Sequence, residues 1–124
     1  MPSVAPKHAE GDLLITTHIL ETPKGPLRAR HGKPKDQPGY VIEHFVKGDE
    51  DIAKLLSLPA EPAVPDFSQA WEWYEKLGDK GICYIAYSDP LYSVAQRFQF
   101  EDFVTRCVLD LDTIRTLVER EFER

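Results

Sequence analysis

Long apolar runs are missing from this sequence. No stretch approaches the ~20 consecutive apolar residues that a membrane-spanning helix needs, so no membrane partner is expected. The opening Met1-Pro2-Ser3-Val4-Ala5-Pro6-Lys7 lacks the apolar centre of a secretion signal, which makes the cytoplasm the expected location. Cysteine is scarce: Cys83 and Cys107 are the two present, and without a secretory context they read as small buried hydrophobes rather than a disulfide. The four histidines and two cysteines never fall at a close ligand spacing such as Cys-x-x-Cys or His-x-x-x-His, so no metal site is expected. No glycine-rich phosphate loop, nucleophile elbow or Ser/His/Asp arrangement is legible, and no cofactor or catalytic residue is assigned. Positive charge is also short. Fifteen Lys and Arg face twenty-one Asp and Glu, for a net charge of −6. Residues 1–40 hold six basic against four acidic side chains, leaving nine against seventeen for the remainder. A general nucleic-acid footprint is not expected on that balance.

What is present suits a globular chain. Hydrophobic residues make up 42% and charged ones 29% of 124 residues, enough for one domain with a core. Prolines at 2 and 6 with Gly11 mark residues 1–11 as a flexible N-terminal arm, and residues 12–124 as the structured unit. Residues 12–47 read as an antiparallel hairpin with a further strand. Asp12 to Glu21 is apolar and β-branched, Thr22-Pro23-Lys24-Gly25 has the chemistry of a type I turn, and Pro26 to His31 alternates. A polar loop, Gly32 to Gly39, leads to the third strand, Tyr40 to Val46.

A helix is expected over 49–58, with Asp49, Glu50 and Asp51 in its first turn and Pro59 ending it. Pro59, Pro62 and Pro65 form a stiff connector to a second helix over 67–77. Asp66 caps that helix, its buried stripe is Phe67, Ala70, Trp71, Tyr74 and Leu77, and Gly78 ends it. Trp71, Trp73 and Tyr74 accordingly read as core and helix-flank aromatics.

Ile82-Cys83-Tyr84-Ile85-Ala86-Tyr87 carries no charge on either face, the pattern of a strand buried on both sides in a parallel sheet. It leads through Ser88-Asp89-Pro90 into helical segments over 90–124, with Leu91, Val94, Ala95, Phe98, Phe103, Cys107, Ile114, Leu117 and Phe122 among the inward positions. That pattern runs to Arg124 without a Gly or Pro to end it. A strand of this kind needs parallel neighbours, which the rest of the chain does not obviously supply.

Two groups of side chains point to ligand binding. Arg28 and Arg30, with Lys24, His31, Lys33 and Lys35 nearby, match the guanidinium forks that clamp a carboxylate or phosphate. The same residues equally describe a solvated strand face. Asp89 and Tyr92 fall where a buried strand passes into a helix, the rim at which α/β folds bind ligands, and Asp89 is equally an ordinary N-cap.

Glu21-Thr-Pro-Lys-Gly25, Leu56-Ser-Leu-Pro59, Lys76-Leu-Gly-Asp-Lys-Gly81, Ser88-Asp-Pro-Leu91 and Phe100-Glu-Asp-Phe103 follow one another in an order that resembles the uroporphyrinogen decarboxylase superfamily, in its diverged branch near the corrinoid and coenzyme M methyltransferases. The resemblance runs from Asp12 to Arg124. It implies an α/β fold: a partial (β/α)8 TIM-barrel segment with an N-terminal antiparallel β-hairpin and C-terminal helices, residues 82–87 being one barrel strand of a body that takes ~250 residues. It also implies a decarboxylase or methyltransferase parent that binds an anionic small molecule, with Asp89, Tyr92, Arg28 and Arg30 as the candidate contacts here. The family's carboxylate-binding and zinc-binding segments match nothing in this chain, so the chain is expected to be catalytically incomplete by itself. Of the decarboxylases' Gly-x-Pro-Phe-Thr, residues 88–92 keep the proline alone, which departs from true uroporphyrinogen decarboxylation. The competing expectation is a non-enzymatic α/β interaction module that self-associates or pairs with a partner chain.

Overall fold

The computed structural model describes residues 3–5, 7–60, 62 and 64–123. Met1, Pro2 and Pro6 of the expected arm, and Arg124 at the end of the last expected helix, lie outside the described residues.

The hairpin forms as its turn chemistry requires. β3 (Leu13–Leu20) pairs antiparallel with β4 (Leu27–Pro34) from Leu13↔Pro34 to Leu20↔Leu27. At the turn, Gly25 N donates to Thr22 O at 2.9 Å and the Thr22 hydroxyl donates to Gly25 O at 2.6 Å. Gly25 has φ +113°, a value that disfavours any residue with a Cβ. The third strand is β5 (Tyr40–Glu43), antiparallel to β4 with a bulge at Arg30/His31.

Residues expected to be a free arm instead extend the sheet. β1 (Ser3–Val4) and β2 (His8–Glu10) both pair with the outer edge of β3, and Ala5 N donates to Thr17 O at 3.0 Å between them. The physical reason is the unpaired peptide groups on that edge, which a short local strand satisfies at little loop-closure cost. Gly11, at φ +59°, makes the reversal.

The sheet therefore has five strands in the order β1-β3-β4-β5, with β2 also on β3, every pair antiparallel and the sheet open. The chain is mixed α/β as expected; its sheet is open and antiparallel, and a partial barrel is not shown. Residues 82–87, expected as a parallel barrel strand, lie in no strand and are exposed; Tyr84 is 86% and Tyr87 92% accessible. Their apolar composition records a demand for burial, and a ladder also needs neighbouring strands, which the described residues do not bring to them.

Among the described residues five α-helices follow the sheet: α1 (Asp49–Leu56), α2 (Ser68–Leu77), α3 (Pro90–Ala95), α4 (Phe100–Leu109) and α5 (Leu111–Phe122). The core joins one end of the hairpin to four of them: Leu27 and Val46 pack with Ile52 and Leu55 of α1, Val94 and Phe98 around α3, and Ile114 and Leu117 of α5, while Phe103 and Cys107 of α4 cover it. Val46 and Phe98 form a parallel bridge, with Val46 N donating to Arg97 O at 2.9 Å, which seats the segment after β5 beside α3. Arg106 of α4 bridges Asp102 at 3.2 Å and Asp49 of α1 at 2.8 Å, and Arg97 meets Glu121 of α5 at 2.6 Å.

The sheet's opposite face keeps its own small cluster, in which Ile15 is buried. A Cβ on Gly32 there would stand 3.0 Å from Ile42 Cδ1 and 3.2 Å from Leu13 Cδ1, so glycine lets these side chains close over the strand.

α2 takes no part in the core. Its expected buried stripe is largely in water, with Phe67 at 43%, Trp71 at 65% and Tyr74 at 57% exposed. The helix forms where predicted and Gly78 ends it at φ +51°, but its N-cap is Phe67 and not Asp66, whose Oδ1 accepts from Ser68 N at 3.0 Å in the turn ahead of it. Leu91 and Phe122, read as inward, are also exposed, because α3 is a short helix and α5 presents nothing to cover its last turn.

Candidate functional site

Asp89 has extended backbone and stands as the N-cap of α3, its Oδ1 accepting from Tyr92 N at 2.9 Å. Pro90 follows at the first helical position, where its missing N–H costs nothing. The side chain of Tyr92 is exposed, and with Ala86, Tyr87, Ser88, Asp89 and Gln96 it lines an open depression of about 440 Å³. Capping thus accounts for the Asp89 carboxylate, and Tyr92 adds a phenol beside it.

Arg28 and Arg30 lie elsewhere. They share one face of β4, whereas Leu27, Ala29 and His31 share the other, since side chains alternate along a strand. Arg28 is already partnered: its Nη2 lies 3.2 Å from Glu43 Oε1, which also accepts from Lys47 Nζ at 2.8 Å. Lys47 Nζ further donates to the Arg28 carbonyl at 2.9 Å. These cations, the Lys47 hydrogen bond foremost, hold the Glu43 carboxyl below its ordinary range. Arg30 is half-buried and faces Glu43 across the β4–β5 ladder. The basic cluster read from sequence is therefore split between two faces, and Glu43, which the sequence reading passed over, neutralises part of it. Its pairing with Arg28 depends on β5 folding back along β4, a relationship without a local sequence signal.

The other face of β4 meets α3 in a cleft of about 390 Å³, lined among others by His31, His44, Ser88, Ser93, Gln96 and Arg97. His18 and His31, which flank each other across the hairpin, have ring centroids 4.8 Å apart. His44 Nδ1 lies 3.1 Å from the Gln96 carbonyl, a hydrogen bond across the sheet–helix junction. Burial, and then the neighbouring His18 and His44, push the His31 imidazole below its ordinary pKa. The cleft brings imidazoles and hydroxyls together next to the α3 start, with Arg97 tied back to Glu121. No group of three or more His, Cys, Asp or Glu among the described residues is arranged to hold a metal ion. No helix among them is long and apolar enough to cross a membrane.

An apolar opening is formed by α2 and the segment after it. Phe67, Ala70, Trp71 and Tyr74 face Cys83, Tyr84 and Ile85 across an open cleft of about 520 Å³. Trp71 and Tyr74 meet edge-on with centroids 5.9 Å apart. Sequence periodicity reads this stripe of α2 as buried; in the structure it is an exposed apolar face that meets residues 83–85 rather than the core. Neither protein-family models, nor curated proteins, nor solved structures yield a match to this chain.

Proposed function

We propose that this chain is a segment of a uroporphyrinogen decarboxylase-like protein, of decarboxylase or corrinoid-type methyltransferase kind, and that it is catalytically incomplete by itself. The observation that carries the reading is residues 82–87: six uncharged residues of strand length, without a strand partner among the described residues, leading into a helix capped by Asp89. A strand that enters a helix through such a junction is the repeating unit of the barrel fold of that family. The absence of any charge on either face suits a strand buried on both sides by a larger body. The ordered motifs from Glu21 to Phe103 support the family, and the junction supports the position within it. In the full parent, Asp89 and Tyr92 stand on the ligand-facing rim, where an anionic small molecule is bound. Arg28 and Arg30 are second contacts of that kind, Arg28 with its charge already met by Glu43.

The decisive experiment is to read the genomic DNA on both sides of this coding sequence. In-frame sequence encoding further alternating strands and helices is the expected result. Unrelated sequence on both sides would sink the reading.

A further inference from the structure

We propose that residues 81–88 form an antiparallel strand pair with the same residues of a second copy of this chain, making a two-fold dimer. The segment Gly81 to Ser88 carries no charged side chain, so two copies meet there without burying an ion. Its peptide groups belong to no strand among the described residues, and a second copy supplies donors and acceptors of matching spacing. The apolar area on offer is of the right order. With large aromatics at roughly 150–250 Å² each, the exposed parts of Trp71, Tyr74, Tyr84 and Tyr87, together with Ile82 and Ile85, come to roughly 800 Å². That is about the share each partner contributes to a stable interface. α2 stands beside the segment with its apolar stripe turned to Cys83, Tyr84 and Ile85, so pairing also adds cover to the Trp71 and Tyr74 rings.

A two-fold axis across antiparallel strands sets one residue opposite itself. With that residue at the middle of the segment, Tyr84 or Ile85, the aromatic and β-branched side chains of the two copies interleave, which is the favourable cross-strand pairing. In the first case residue 85 lies opposite Cys83 of the second copy, and in the second opposite its own copy. The inference does not depend on the family proposed above, since it concerns the 124-residue chain as it stands. Unrelated flanking DNA would leave it intact, and a monomeric chain would leave the family reading intact.

Sedimentation equilibrium of the full chain tests it, with Tyr84→Lys as the disrupting variant and far-ultraviolet circular dichroism as the check on folding. The expected species is a discrete dimer, twice the 14.2 kDa chain mass, and Tyr84→Lys sediments as the monomer at the same concentrations with its helical signal retained. Ile85→Cys in a Cys107→Ala background, oxidised with copper–phenanthroline, is expected to give a covalent dimer in either register. A monomeric wild type, association without a limiting size, a dimer indifferent to Tyr84→Lys, or an Ile85→Cys variant that stays uncrosslinked would each overturn the proposal.

Discussion

Arg120 Nη2 donates to the carbonyl of Leu58 at 2.6 Å, and its Nη1 donates to the carbonyl of Leu56. One side chain of α5 thereby satisfies the last carbonyl of α1, that of Leu56, and one two residues beyond the helix. The guanidinium also brings positive charge to the negative end of the α1 dipole. Arg120→Met, which keeps much of the aliphatic stem, is expected to cost about 2 kcal/mol, since hydrogen bonds from a charged donor are the stronger kind. Urea denaturation checks this: the midpoint should fall with the slope unchanged, and Arg120→Lys should recover part of the loss. An unchanged midpoint would show that the two contacts add nothing.

Stability is expected to be concentrated at one end of the molecule. Phe98 is 1% exposed at the meeting point of the hairpin, α3 and α4, so Phe98→Ala should destabilise by about 3–5 kcal/mol through lost burial and a cavity. Tyr87 is a comparably large aromatic yet lies in water, and Tyr87→Ala should move the unfolding free energy of dilute protein by less than about 0.5 kcal/mol. Equal losses at the two sites would contradict the described packing.

Acid should act in two stages. The folded chain holds His31 below its ordinary value of 6.5, so below that pH the unfolded chain takes up the proton more readily and stability declines as pH falls. Glu43 is also held below its ordinary value, so its contribution is complete above about 4.5 and is lost as pH falls through the lower folded value. Both shifts have the same sign in stability. Thermal midpoints measured from pH 8 to pH 3 should decline in both windows. His31→Gln should flatten the upper one and Glu43→Gln the lower, and a profile unaltered by either variant would refute the assignments.

Asp89 offers a separation of capping from ligand binding. Asp89→Ala removes the bond to Tyr92 N and should cost about 1 kcal/mol, whereas Asp89→Ser keeps an N-cap acceptor and should cost a few tenths. Differential scanning calorimetry of the two variants checks the order. If alanine and serine behave alike, the 2.9 Å contact is not what holds the start of α3.

Local chemistry was readable wherever a few adjacent residues are enough. Thr22-Pro23-Lys24-Gly25 closes its turn, Asp89-Pro90 starts its helix, and Gly78 ends α2, because each depends on dihedral preference and a hydrogen bond spanning four residues or fewer. Periodicity likewise marked the apolar face of every long helix. The candidate site was less legible. The basic residues 28–35 look like one cluster in sequence, yet alternation sends Arg28 and His31 to opposite faces, and the partner of Arg28 is Glu43, fifteen positions away.

Sequence was enough for the hairpin and its turn, for the Asp89 cap of α3, and for which faces of the long helices are apolar. Tertiary structure alone decided which of those apolar faces meet. Leu27, Val46, Phe98 and Leu117 find one another from distant positions, while Trp71 and Tyr84 stay outside with equally apolar surfaces. The reason is that hydrophobic burial is non-directional: it tells a side chain to leave water without naming its neighbour. A strand also needs a partner edge, and no single segment carries the information that one will be there.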